Sequence, residues 1–250
     1  MTVRRFAALV AAVLLLALAG LAGPAAAAPI FFDDRAVFDA AAGPLDAFED
    51  FEDAVIPDGP AGPSGPPEGV AAALGPWDST TDNGIFSPGD LVEGVVFVSV
   101  IDNHLVVLDD GAFGSPTKTL GPAIFADELD MVFPAGVEAV GFDLIVPTTG
   151  SSPVQSIVSL FDLNDVLIGS DTVLASEDGI FFGAIDQATP IGRIRISTQG
   201  AGDVIDNLTF GSPGSPGSPV TVIPAPGPLA LLALGLVGLV GLRLVGRRAR

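Results

Sequence analysis

Carboxylates are the one chemical resource this chain holds in quantity. Thirty Asp and Glu residues stand against ten Lys and Arg and a single histidine. Two carboxylate pairs lie near opposite ends of the central region, Glu49 with Glu52 and Asp203 with Asp206. A calcium ion takes roughly six to eight oxygens from carboxylates, amides and backbone carbonyls. If the first and last strands of a sheet are neighbours, the two pairs meet there, and calcium between them staples the start of the fold to its end. Asp162, Asn164 and Asp165 offer a second set of alternating oxygens around a predicted turn. The plain alternative is that all of these are solvated turn acids whose side chains bond to nearby backbone. The D-x-D-x-D-G pattern of an EF-hand is absent.

A sugar-binding reading centres on Trp77, the sole tryptophan in a chain without tyrosine. It lies in Gly75-Pro76-Trp77-Asp78-Ser79-Thr80, where its ring could stack on a sugar while Asp78, Asp82 and Asn83 bond hydroxyls. The same ring could instead plug one end of a sandwich. Catalysis has little to work with. A Ser-His-Asp arrangement must run through His104, in the turn-like Asp102-Asn103-His104, and no G-x-S-x-G nucleophile elbow accompanies it. One histidine and no cysteine exclude the usual zinc cages. Paired carboxylates can hydrolyse glycosides, but thirty acids guarantee chance pairs. No glycine-rich phosphate loop follows a strand and opens a helix.

The elements that must position these groups are strands. Asp33 or Asp34 caps a short helix ending at Gly43, with Phe38 and Ala41/Ala42 on its buried side. Phe48 to Asp53 carries too many acids for a buried strand, with Phe48 and Phe51 as its anchors. Residues 57–68 form a Pro/Gly-rich loop. Strands follow over 91–100, 105–108, 128–133, 137–146, 154–161, 166–169, 180–185, 192–197 and 204–210. Leu129, Met131 and Phe133 share one face, and Arg193 and Arg195 share a solvent face. Many short strands between Gly, Pro and Asp turns predict an all-β fold, an antiparallel β-sandwich of jelly-roll type with a short N-terminal helix.

Both ends read as addresses rather than fold. Arg4 and Arg5, the uncharged run Phe6–Leu21 and the small residues Ala25-Ala26-Ala27 make a secretory signal peptide over 1–27, a substrate of signal peptidase. Residues 28–211 form one passenger domain, and 212–222 a Ser/Pro/Gly linker that holds it away from the membrane. Ile223-Pro224-Ala225-Pro226 then precedes an apolar helix, Leu229 to Leu242, and a basic end with Arg243, Arg247, Arg248 and Arg250. That run reaches roughly 21 Å against a hydrocarbon core of ~30 Å, a span the terminal arginines extend by snorkelling. Positive flanks stay cytoplasmic, which puts the passenger on the far side.

This order of prolines, apolar run and arginines at 223–250 resembles a PEP-CTERM sorting domain, a tail type also catalogued as an ice-binding protein C-terminal domain. The family pattern is Val-Pro-Glu-Pro, and here Ala225 replaces the acid. The resemblance implies an exosortase-type protease that reads the tail of an inner-membrane intermediate in an exopolysaccharide-producing Gram-negative bacterium. Delivery is to the cell surface or matrix. Ala139-Val140-Gly141-Phe142-Asp143, Phe181-Phe182-Gly183 and Ile205-Asp206-Asn207-Leu208-Thr209-Phe210 are similar to phrases of the jelly-roll passengers that precede such tails.

The ends carry six of the ten basic residues and none of the acids. Arg35, Lys118, Arg193 and Arg195 are thus left against thirty carboxylates, a formal charge of −26 over residues 29–222. Such a surface repels nucleic acid and anionic lipid. With no cysteine there is no disulfide, so stability must come from a core, for which about 190 residues suffice. The sequence thus predicts an exported, non-enzymatic structural or adhesive protein with calcium and exopolysaccharide as partners. The alternative is a secreted polysaccharide-active hydrolase, which the scarcity of Trp and Tyr disfavours. An ice- or mineral-binding surface would need a flat Thr-rich repeat, and none is visible.

Overall fold

The structure, a computed structural model, describes residues 27–56, 69–110, 117–124, 126–146, 152–198 and 202–212. From residue 28 onward these belong to one compact unit, Ala28–Pro219. The stretches expected to be the signal peptide before Ala27, the loop over 57–68, the linker beyond residue 212 and the sorting tail lie outside the described residues. Among the described residues no helix is long and apolar enough to cross a membrane.

The elements in chain order are β1 (Ile30–Phe32), α1 (Arg35–Ala42), β2 (Ala47–Glu49), β3 (Val70–Leu74), β4 (Val96–Ser99), β5 (His104–Leu108) and β6 (Thr119–Pro122). β7 (Leu129–Val137), β8 (Ala139–Ile145), β9 (Val154–Asp162), β10 (Leu167–Ala175), β11 (Ile180–Ile185), β12 (Ile191–Thr198) and β13 (Val204–Gly211) follow. They build two antiparallel sheets. One runs β1-β11-β8-β13-β6-β5-β3 with β2 also on β13, and the other runs β10-β9-β12-β7-β4.

Period-two alternation explains how the sheets close on each other. Leu129, Met131 and Phe133 of β7, Val158 and Leu160 of β9, and Ile194 and Ile196 of β12 point to the inside. From the larger sheet they meet Leu105, Leu120, Val140, Phe142, Leu144, Phe182, Ile205 and Leu208. Phe133 and Phe210 bridge the gap with ring centroids 5.1 Å apart. Each such aromatic contributes about 1.5–3 kcal/mol by leaving water, which is how a chain without disulfides holds together. The expected all-β sandwich is the observed fold.

Helix α1 covers the outer side of the larger sheet. Asp34 caps it, accepting from the Val37 amide at 3.0 Å, and Gly43 ends it at φ 70°. Phe38 is fully buried over β8 and β11, where Gly141 and Gly183 sit directly opposite each other. A Cβ at either glycine would stand 2.9 Å or 2.6 Å from the Phe38 ring. The two glycines therefore form the slot that seats the helix.

Several expectations change. β1, β2, β3 and β6 are strands that the sequence did not suggest, β10 runs on to Ala175, and residues 91–95 are not strand. Phe48 is no anchor; it is 56% exposed, whereas Glu49 beside it is buried. The reason is register. Glu49 pairs with the core residue Leu208, so Phe48 must face out.

Candidate functional site

The outer face of the five-stranded sheet is built from rows that the register fixes. One row reads Leu167, Phe161, Arg193, Val132, Val96 across all five strands. The next reads Ser170, Ser159, Arg195, Asp130, Val98. Thr172, Ile157 and Ser197 start a third. Five strands give a face roughly 19 Å wide. It has apolar margins and a polar stripe along β12 and β7.

That stripe is held rigidly. Asp130 accepts from Arg193 Nη1 at 3.2 and 3.1 Å, and from Arg195 Nε and Nη2 at 2.8 Å each. Asp165 takes Arg193 from the other side at 2.5 Å, and Glu128 lies 3.2 Å from Arg195. The Arg193 guanidinium also stacks on Phe161, 3.8 Å from the ring centroid. The hydrogen bonds to Asp130 push the Arg195 pKa further up. Both arginines are thus fixed in position before any ligand arrives. Each guanidinium has five N–H donors, so this stripe offers oriented donors beside hydroxyls and apolar ground. The sequence placed both arginines on one face. It gave no sign that Asp130, out of phase with Leu129 and Met131, would be their common partner, because strand pairing is not legible locally.

The start-and-end carboxylates are not brought together. β2 does lie beside β13, as expected. Glu49, however, turns inward, where its oxygens accept from the amides of Phe51 at 2.8 Å and Val92 at 2.7 Å. Burial pushes its pKa up against those two bonds. Asp206 faces outward, directly opposite Asp143 of β8. A bulge follows there, with Asn207 at φ 49°, whose Nδ2 bridges Asp143 at 2.9 Å and Asp206 at 3.0 Å. Thr117 donates to Asp206 at 2.5 Å, and Arg35 reaches Asp143 at 3.2 Å. Burial raises the Asp206 pKa, and the charges of Asp143 and Glu52 add to that. Glu52 therefore senses Asp206, but Glu49 is on the other side of the sheet. Asp203 is separate again, beside Asp127 and Glu128. The outward-inward alternation of a strand, broken by one bulge, is what divides the set.

The turn set is committed to protein donors. Asp162 accepts from the amides of Asn164 and Val166 at 2.8 and 2.9 Å, and Asp165 holds Arg193. Among the described residues no three acidic or histidine side chains converge as a ready-made metal cluster. The Trp77 platform is also overturned. Trp77 is 1% exposed, packs edge-on to Phe86 and donates to the Leu74 carbonyl at 2.9 Å. A ring covered on both faces plugs the sandwich and cannot stack on a sugar. Asp78 accepts from the Thr80 amide and hydroxyl, which lowers its pKa, and Asn83 Oδ1 accepts from Ile85 and Phe86, while Asp82 is exposed.

Ser99, Asp102 and His104 lie in sequence, but not as a nucleophile and base. Ser99 is 2% exposed and its hydroxyl lies within hydrogen-bond reach of both Asp102 and Asp127, while His104 Nδ1 sits 3.5 Å from Asp102. Asp127 also accepts from the amides of Ile101, Asp102 and Glu128. The carboxylate stands between serine and imidazole, so the histidine is not placed to take the serine's proton.

The chain matches no protein-family model and no curated protein. Among solved structures it is similar to an arabinose-bound α-L-arabinofuranosidase at 11% identity and TM-score 0.32, over 46% of this chain and 22% of that one. The chain thus spans under a quarter of that enzyme's length. A carbohydrate-binding module from Clostridium stercorarium, solved with cellobiose, is 17% identical at TM-score 0.29, over 46% of this chain and 86% of that one. A xylan-binding domain from Paenibacillus barcinonensis is 11% identical at TM-score 0.32, over 70% and 99%. At this distance none of them bears on what this chain binds.

Proposed function

We propose that this is an exported glycan-binding protein of the cell surface or exopolysaccharide matrix, which holds polysaccharide on the outer face of its five-stranded sheet without cleaving it. The two ends of the sequence supply the export and sorting half of this reading. The observation that carries the binding half is the stripe in which Asp130 fixes Arg193 and Arg195 beside Phe161, Ser159 and Ser197. A sugar ring presents apolar C–H faces and a rim of hydroxyls. Fixed planar donors and acceptors next to apolar side chains suit both, and their immobility reduces the entropy lost on binding.

The hydrolase reading has one observation behind it. The Asn207 amide holds Asp143 and Asp206 with oxygens at most about 6 Å apart, near the spacing of retaining glycosidases. Asp206 is only 2% exposed, however, and both acids are tied by protein donors. The test is binding of the full-length chain, in mild detergent, to neutral and uronate polysaccharides and to bacterial exopolysaccharide. Phe161→Ala and Arg195→Ala should each weaken binding about tenfold or more, the loss of one well-placed contact. Release of reducing ends would favour the hydrolase, and binding untouched by both substitutions would refute this face.

A further inference from the structure

The carboxyl of Asp203 stands alone in the interior. The residue is 0% exposed, and neither oxygen has a hydrogen-bond partner. The Thr198 hydroxyl lies alongside without meeting hydrogen-bond geometry, and it pairs with Ser156 at 2.7 Å, also buried. The nearest charges, Asp127 and Glu128, are both negative. Among the described residues no Lys or Arg side chain is free to help. Arg35 is on Asp143, Arg193 and Arg195 are on Asp130, and Lys118 is on the carbonyls of Glu52 and Ala54.

A buried carboxylate without a counter-charge costs several kcal/mol and does not persist. It must take a proton or a cation. Burial raises the Asp203 pKa well above the ordinary carboxylate value, and a proton would supply a single O–H donor while leaving the other oxygen, like both now, without a donor. Two unclaimed oxygens on one carbon, hydroxyls at hand and two further negative charges behind them describe the environment of a hard cation.

We propose that Asp203 is a ligand of a bound calcium ion at the end of the sandwich where β12 leads into β13, with the Thr198 and Ser156 hydroxyls beside it. Oxygen donors without nitrogen or sulfur select calcium over zinc and copper. Asp127 is no ligand, because its oxygens are already filled by Ser99 and three backbone amides; it contributes field only. A single available carboxylate makes the site weak, in the range of extracellular modules at about 10⁻⁴–10⁻³ M.

The test is thermal unfolding of the full-length chain in 10 mM calcium and in chelator. Calcium should raise Tm by about 3–7 °C, given that affinity and the size of the domain. Asp203→Asn should abolish the response, Thr198→Val should weaken it, and Asp206→Asn, which alters the other buried acid of β13, should leave it intact. Wild-type Tm unmoved by calcium overturns the site. So does a response that survives Asp203→Asn. Asp203→Asn more stable than wild type, with neither responding to calcium, identifies a proton in the ion's place.

Discussion

Asp130→Asn tests whether the arginine stripe is a fixed structure or a loose set of surface charges. Asp130 is nearly buried and receives four hydrogen bonds from two guanidinium groups, at 2.8–3.2 Å. Asparagine keeps the shape but removes the charge, and its NH2 would face donors it cannot accept from. Breaking one partner of a buried pair costs about 3–5 kcal/mol. Two features lower that here. Arg193 keeps Asp165, and the Arg195 side chain is 31% exposed and keeps Glu128, so solvent screens what is left. The expected loss is therefore about 2–3 kcal/mol, or a fall in Tm of roughly 4–12 °C for a domain of this size. Salt should recover part of it by screening one arginine from the other. Urea unfolding of wild type and variant at low and high salt measures both terms. An unchanged midpoint would show that the stripe contributes no stability, and the argument for a pre-positioned binding face would go with it.

Gly183→Ala places a Cβ 2.6 Å from the Phe38 ring and should destabilise by about 1–3 kcal/mol of overpacking, with Phe38→Leu in the same chain recovering part; denaturant titration of the double-mutant cycle decides this. Asp206 and Asp78 should act on stability in opposite directions with pH. Burial raises Asp206, so the folded chain binds that proton more tightly, and its contribution falls as pH rises from the ordinary carboxylate range through the raised value. The Thr80 hydroxyl and amide lower Asp78, so its contribution is present above the ordinary value and is lost as pH drops through the lowered one. Stability profiles of Asp206→Asn and Asp78→Ala between about pH 3 and 7 should depart from wild type with opposite slopes. Trp77 emission should shift on unfolding but stay unmoved at saturating glycan, and Trp77→Ala should cost about 3–5 kcal/mol; a glycan-induced shift would return Trp77 to the binding surface.

Period and punctuation made the fold legible. The alternation of Leu129, Met131 and Phe133 and of Gly192 to Ser197 identified two strands and their faces, because a half-buried strand writes its burial into every second residue. The cap at Asp34 and stop at Gly43 were equally local. β1, β2, β3 and β6 were missed because three to five residues are too few for a period, and their place in the sheet depends on β11, β13 and β5, which are distant in sequence. The site was less legible for the same reason. Spacing puts Glu49, Glu52, Asp203 and Asp206 into one expected set, and β2 does neighbour β13. Yet the face each acid occupies is settled by register and by a one-residue bulge at Asn207, and neither is written in spacing. Trp77 has a loop-like sequence setting among polar neighbours, but its isolated bridge to Phe97 pulls it inside.

The four Lys and Arg residues among the described residues show where this fold needs positive charge. Arg35 crosses from α1 to the place where Asp143 and Asp206 stand opposite each other on paired strands, an arrangement that is repulsive unless something intervenes. Arg193 and Arg195 converge on one aspartate, which brings a near-balanced stripe to a body that is otherwise strongly acidic. Lys118, just before β6, ties the start of that strand to the carbonyls of the segment after β2. With every Lys and Arg among the described residues occupied, an acid that is buried and still unpaired must take a proton or a counter-charge from outside the chain. Asp203 is in that position. The scarcity of bases that makes the arginine stripe distinctive is the same scarcity that leaves Asp203 unpaired, so the proposed glycan face and the proposed ion site both trace to one composition.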